Sequence, residues 1–172
     1  MKIFIFDLDD TIIDWNQYSD IFNNHNIPYS EITVDISIYN LLNNFKYPKF
    51  IYTNGIYDHA YQVLKNMKIL KFFSGIYARD TLTFSKPSIE SYLQVENNIN
   101  IHVNNYIVSK KLDLNNITYF FFDDLLQNLQ SAKNLNWKTI WIHSDYNTKD
   151  LYDFVDYAFP NIQTALMYFY LY

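Results

Sequence analysis

Four consecutive apolar residues, Ile3-Phe4-Ile5-Phe6, run without a break into Asp7-Leu8-Asp9-Asp10-Thr11. An unbroken apolar run of this kind reads as a strand buried on both faces. Such strands belong to α/β proteins, whose ligand crevice lies outside the carboxyl ends of the strands. Asp7 and Asp9 are therefore placed to put two acids into a site. Buried acids are costly without a partner, so a metal ion or another cation is expected beside them. The competing reading is a solvated acidic turn after an N-terminal strand, and the rest of the chain has to decide.

The pattern recurs downstream. Phe50-Ile51-Tyr52 ends at Thr53-Asn54-Gly55, and Ile117–Phe122 ends at Asp123-Asp124, while shorter strands are predicted at 75–78, 139–142 and 157–159. Helices are predicted between them. Asp35 can cap one of about 10 residues that carries Ile38, Leu41, Leu42 and Phe45. Ile56, Ala60, Val63, Leu64, Met67 and Leu70 trace a second, and Pro87 suits the first turn of a third. A fourth carries Leu126, Leu129, Ala132 and Leu135 inward and stops at Asn136, a residue that tolerates the left-handed cap. A last helix covers 161–170. Strands alternating with helices give βα units. The expected fold is α/β, a three-layer Rossmann-like arrangement with a mostly parallel sheet and helices on both faces.

A chain of 172 residues suits a single domain spanning 1–172. Two stretches fit it less regularly. Residues 12–32 read as a flap or rudimentary cap, and residues 97–111 as an extra helix or a projecting loop, preferably a tolerated surface insertion, within an Asn-rich section whose helix breaks are not legible. The net charge of -5 supplies no basic footprint, so tight binding of duplex nucleic acid is not expected. The absence of cysteine rules out disulfides and thiolate metal sites. No signal peptide and no bilayer-spanning run are read, so a soluble, cytoplasmic protein, monomer or homodimer, is expected. The four histidines show no metal-ligand spacing; His59 could touch substrate, although a structural role is the preferred reading.

In a parallel sheet the ends of all strands face one edge. Asp7, Asp9, Asp123 and Asp124 would then meet Thr53, Asn54 and the loop residue Lys86. Oxygen donors of this kind suit Mg²⁺, which shares its shell with waters and a substrate phosphate. A hydroxyl, a helix N-terminus and a lysine suit the phosphate itself.

The order Asp7-x-Asp9-x-Thr11, strand–Thr53-Asn54-Gly55, Lys86-Pro87 and strand–Asp123-Asp124-x-x-x-Asn128 resembles the haloacid-dehalogenase-like hydrolase superfamily. The segment Asp156–Ile162 is also similar to that superfamily's closing segment. The resemblance implies a role for each position. Asp7 would be the nucleophile that forms an aspartyl-phosphate. Asp9 would be the general acid and then the base, with its backbone carbonyl on the metal. Thr53 and the Asn54 backbone N–H would hold phosphoryl oxygens, and Lys86 would neutralise charge. Asp124 would bind Mg²⁺ alongside Asp7 and Asp9, with Asp123 assisting and Asn128 orienting the loop.

An acid at Asp9 favours phosphate transfer over dehalogenation within that superfamily. Only 46 positions separate Asp7 from Thr53, and 33 separate Thr53 from Lys86, so a full cap domain fits in neither interval. A minimal or absent cap is the expectation. Thr53-Asn54-Gly55, His59-Ala60 and Asp80-Thr81-Leu82 leading to Lys86-Pro87 look like the pyrimidine 5′-nucleotidase-like group. A small phosphorylated substrate such as a nucleoside 5′-monophosphate follows, with Trp15, Tyr18 and Phe22 available to stack on a base or, alternatively, to close the core. The alternatives are a capless phosphatase on a phosphoprotein or nucleic-acid end, and a non-catalytic binding or assembly module that retains the motifs.

Overall fold

The computed structural model describes residues 1–19, 29–110 and 117–171, with side chains left aside at 105–110. Six strands form one sheet: β1 (Lys2–Phe6), β2 (Lys49–Tyr52), β3 (Gly75–Tyr77), β4 (Thr118–Asp123), β5 (Lys138–Ile142) and β6 (Tyr157–Phe159). Their spatial order is β3-β2-β1-β4-β5-β6, and every neighbouring pair is parallel. Connections therefore run outward in one direction from β1 and in the other from β4. The chain reverses its winding between these two central strands, which makes their carboxyl ends the topological switch point.

Five helices cover the sheet: α1 (Ile36–Asn44), α2 (Tyr57–Asn66), α3 (Ile89–Lys110), α4 (Leu126–Asn134) and α5 (Ile162–Leu171). The strands alternate which residues they send to each side. Phe4, Phe6, Ile51, Phe120 and Phe122 pack with residues of α1, α2 and α5. Ile3, Ile5, Phe50, Tyr52 and Phe121 pack with residues of α3 and α4. Both faces are thus buried, which explains why β1 reads as an uninterrupted apolar run. The expected Rossmann-like α/β fold is the one observed. Among the described residues no helix is long and apolar enough to cross a membrane.

Local chemistry accounts for most element ends. The Asp35 carboxylate accepts the Ile38 backbone N–H at 2.9 Å, capping α1 as expected. Asn136 closes α4 at φ 60°, also as expected. Three readings are corrected. Ile56 is exposed and stands before α2, so it does not belong to the buried stripe. Pro87 lies two residues ahead of α3, after a cis Lys86–Pro87 peptide, and not in the first helical turn. Residues 97–110 continue α3 in a single helix, and Ile99 and Val103 join Tyr92 and Val95 in the core. Asparagine is a poor helix former, which hid this helical spacing. Residue 111 lies outside the described residues.

Candidate active site

The switch point brings Asp7, at the end of β1, beside Asp123 and Asp124, at the end of β4. The Asp7 backbone N–H donates to the Phe122 carbonyl at 2.8 Å, which fixes the register of the two strand ends. One carboxylate oxygen from each of Asp7, Asp123 and Asp124 lies within 4.8 Å of the others. Lys86 enters from its loop, with its Nζ 2.9 Å from Asp7 Oδ1 and 2.7 Å from Asp123 Oδ2. The ammonium is buried and also lies 5.2 and 5.4 Å from the ring centres of Tyr52 and Phe121.

Asp123 is fully occupied. Its Oδ1 accepts the Leu125 backbone N–H and the Asn128 amide, each at 2.9 Å. Its Oδ2 accepts Lys86 and, at 3.1 Å, the same amide. Asn128 is in turn held by Tyr92, whose hydroxyl donates to the Asn128 carbonyl at 2.9 Å. Asp124 differs. Its backbone carbonyl accepts the Trp141 indole N–H at 2.9 Å, and its half-buried carboxylate stays turned toward Asp7 and Asp123.

The electrostatics separate these groups. Burial draws the Lys86 ammonium down, but Asp123 and then Asp7 outweigh it and hold it above its ordinary value. Burial pushes Asp7 up to about 8, and Asp123 adds to this against the pull of Lys86. The two directions are consistent if Asp123 is the main partner of Lys86. An ionised Asp7 then needs further positive charge. Asp124 is likewise pushed up to about 6 by burial and by Asp123. Hard oxygen donors with unmet negative charge fit a divalent cation such as Mg²⁺. Asp7 and Asp124 are the carboxylates available to it.

The loop after β2 forms the opposite wall. Thr53 is buried, and its Oγ1 accepts the Gly55 backbone N–H at 2.9 Å. The Asn54 side chain clamps the Lys86 loop from both sides, accepting the Lys86 N–H and donating to the Lys86 carbonyl, each at 3.0 Å. Gly55 is needed for close approach. A Cβ there would stand 3.0 Å from the His59 ring and 3.5 Å from Asp9 Oδ2. α2 begins two residues later. Ile56 supplies no side-chain cap, and instead Asp80 Oδ1 accepts the Tyr57 N–H at 2.8 Å.

Asp9 faces a different set. The Leu8 carbonyl accepts the N–H groups of Thr11, Ile12 and Ile13, and Asp10 takes a left-handed φ of 55°. This tight turn rotates Asp9 toward α2. Asp9 Oδ1 accepts the Trp15 indole N–H at 2.7 Å and lies 2.8 Å from His59 Nε2. His59 Nδ1 lies 3.0 Å from the Tyr29 hydroxyl. Asp9, Trp15, Tyr29, Asn54, Gly55, Ile56, His59 and Arg79 line an open cleft of about 700 Å³. A second cleft of about 500 Å³ lies across the Asp10 turn and is lined in part by Asp10, Tyr18, Asp35 and Asp124.

The structure thus brings Asp7, Lys86, Asp123, Asp124 and Asn128 together, with Thr53 and Asn54 on the facing loop. Trp15 reaches the site by contacting Asp9. Tyr18 meets Trp15 edge-on at 5.9 Å and packs against the core, and its hydroxyl accepts the Thr33 N–H at 3.4 Å. Asp10 is exposed, accepts the Trp15 N–H at 3.3 Å and is not one of the three clustered carboxylates, although its charge helps to raise Asp124 and the two line one cleft. Phe22 and residues 20–28 of the expected flap lie outside the described residues. Tyr29 carries no signal in the sequence, since it sits in a single 3₁₀ turn without periodicity. His59 is read from the sequence as a residue that could touch substrate, but its contact with Asp9 spans 50 positions and has no sequence signal.

The sequence profile of the family described as haloacid dehalogenase-like hydrolase matches residues 15–142. The chain belongs to the haloacid dehalogenase-like hydrolases. Solved structures repeat the fold at low identity. A provisionally assigned β-phosphoglucomutase of Thermotoga maritima superposes with a TM-score of 0.68 at 15% identity, covering 98% of each chain. The L-2-haloacid dehalogenase of Xanthobacter autotrophicus, with chloropropionic acid covalently bound, gives 0.64 at 12% identity over 97% of each chain. The provisionally assigned hydrolase YfnB of the same superfamily from Bacillus subtilis, bound to magnesium, gives 0.64 at 16% identity, again over 97% of each. No curated protein matches the sequence. This haloacid dehalogenase-like hydrolase therefore shares its fold with enzymes of more than one chemistry, and its own side chains must discriminate among them.

Proposed function

We propose that the chain is a Mg²⁺-dependent phosphomonoester hydrolase that works through an aspartyl-phosphate on Asp7. The reading also takes the substrate to be a small phosphorylated metabolite such as a nucleoside 5′-monophosphate. The observation that carries it is the division of labour between two acids at one strand end. Asp7 is buried against Lys86 and the β4 carboxylates, while Asp9, two residues on, faces the cleft where a leaving group would lie. A dehalogenase has no use for a proton donor at that place.

In the first step an Asp7 carboxylate oxygen attacks phosphorus and the bond to the leaving oxygen breaks. Asp9 gives that oxygen its proton. In the second step Asp9 takes a proton from water, the water oxygen attacks phosphorus, and the Asp7–phosphorus bond breaks to release inorganic phosphate. Lys86, Thr53 and the backbone N–H groups of the loop after β2 hold the phosphoryl oxygens. Asp7 and Asp124, with the Asp9 backbone carbonyl, would hold Mg²⁺, which offsets the repulsion between carboxylate and phosphate when bound.

The cleft is of a size that accepts a nucleoside, and it offers aromatic walls in Trp15 and Tyr29 with a cation in Arg79. Its openness also supports the second reading, a phosphatase for phosphopeptides or nucleic-acid ends. A panel of nucleoside monophosphates, phosphopeptides and phosphorylated oligonucleotides, assayed with and without Mg²⁺, separates the two. Asp7→Asn is expected to abolish turnover, and more than trace activity in that variant would sink the assignment. If the wild-type protein hydrolyses no phosphomonoester with Mg²⁺, a binding or assembly role takes its place.

A further inference from the structure

We propose that His59 is the positioning residue for Asp9, and that it acts with Tyr29 and Trp15 to reserve one carboxylate oxygen for the proton transfers. The inference rests on the phosphatase reading and goes beyond it by assigning a side chain from the helix after the phosphate loop. Asp9 Oδ1 meets two nitrogens, Trp15 Nε1 at 2.7 Å and His59 Nε2 at 2.8 Å. The indole can only donate. The imidazole faces an acceptor with Nε2, so its Nε2 carries hydrogen, and in the neutral ring its Nδ1 then accepts from the Tyr29 hydroxyl at 3.0 Å. With the ring neutral, the chain of bonds runs from Tyr29 to His59 to Asp9.

Oδ1 is saturated by these donors, whereas Oδ2 accepts no hydrogen bond from the described residues. Oδ2 also lies on the phosphate-loop side, 3.5 Å from the point where a Gly55 Cβ would stand. It is consequently the oxygen that carries the proton to the leaving group and takes it from water. His59 is largely buried and bonded at both ring nitrogens, and the absence of a Cβ at Gly55 is what lets the ring sit this close to the loop. Two donors thus hold the carboxylate through Oδ1 and leave Oδ2 facing the loop, the kind of fixed orientation that catalytic geometry requires. The same three aromatic side chains line the cleft, which places the positioning device on the leaving-group side of Asp9.

The test compares two substrates that differ in their need for the proton. An alkyl phosphate such as glycerol phosphate needs it when the leaving group departs, and 4-nitrophenyl phosphate does not. Because kcat/KM reports the steps through leaving-group departure, it isolates the acid role from the later base role. His59→Ala is expected to lower kcat/KM for the alkyl phosphate roughly 10–100-fold while leaving that for the aryl phosphate within about 3-fold. His59→Gln, which can still donate to Asp9, is expected to restore part of the loss. Tyr29→Phe keeps the ring and removes only the hydroxyl, so it is expected to fold normally and to show the same substrate contrast with smaller size. Equal losses on both substrates in Tyr29→Phe and His59→Gln, or no loss on either, would overturn the inference and leave the phosphatase reading standing. Wild-type inactivity on both substrates would remove that reading and this inference together.

Discussion

Lys86 joins two carboxylates from different strands inside a buried setting, and its removal has a calculable consequence. Asp7 and Asp123 would be left facing each other without the ammonium between them. One of them must then protonate or drag water inward. Breaking a buried pair in this way costs about 3–5 kcal/mol. Lys86→Met is therefore expected to lower unfolding stability by that order in chelator, measured by urea denaturation, besides abolishing turnover. A loss below about 1 kcal/mol would mean that Asp7 and Asp123 do not depend on Lys86. Asp123 is the more enclosed of the two, with four hydrogen bonds that set its carboxylate between Lys86 and Asn128. At this scale the sequence was informative about identity and silent about pairing. That Lys86 belongs to Asp7 follows from the resemblance; that it is shared with Asp123 at 2.7 Å does not.

At the scale of elements, α2 shows how a helix can be started by a residue far from it in the chain. Its own N-cap position is Ile56, which offers no acceptor, and the acceptor comes from Asp80, 23 positions later. Asp80 lies just beyond β3, so the contact ties the end of that edge strand to the start of the helix behind the loop that follows β2. Substituting such a cap costs about 1 kcal/mol. Asp80→Ala is expected to destabilise the fold by this amount in urea melts. It should also raise amide exchange at Tyr57 and its neighbours, with little change at α4. Unchanged exchange at the start of α2 would contradict the capping role. The extent of α3 was likewise hidden from sequence reading. Its buried stripe of Tyr92, Val95, Ile99 and Val103 has helical spacing, but the asparagines among them suggested breaks. Packing against the sheet supplied what propensity did not.

At the scale of the whole molecule, Asp156 pins the far edge of the sheet. It accepts Lys133 of α4 at 2.7 Å, Lys138 of β5 at 3.4 Å and the Thr139 backbone N–H at 3.0 Å. Partial burial pushes its carboxyl up, but the Lys133 and Thr139 hydrogen bonds outweigh this and hold it below the ordinary carboxylate value. A depressed folded value means that the unfolded chain binds the proton first as pH falls. The stability from Asp156 is therefore fully present above the unfolded value of about 3.9 and is lost as pH drops through the lower folded value. Solvent exposure limits its size to about 1 kcal/mol. Asp156→Asn is expected to be less stable than wild type by that order at pH 7, with the gap closing as pH falls below about 4. A gap that stays constant from pH 7 to pH 2.5 would show that charge is not what holds this edge.

By itself the sequence determined the alternation of strands and helices, the parallel sheet, the strand ends where acids gather and the caps at Asp35 and Asn136. These features are local, since they depend on the spacing of apolar residues and on the backbone preferences of single residues. The tertiary structure decided which groups share an atom. Lys86 meets both Asp7 and Asp123, Asp80 caps a helix it does not belong to, and His59 with Tyr29 grips Asp9. Each of these contacts joins residues that the sheet order brings together from distant parts of the chain. No periodicity encodes such a meeting; it exists only once β1 lies between β2 and β4, with β3 beside β2.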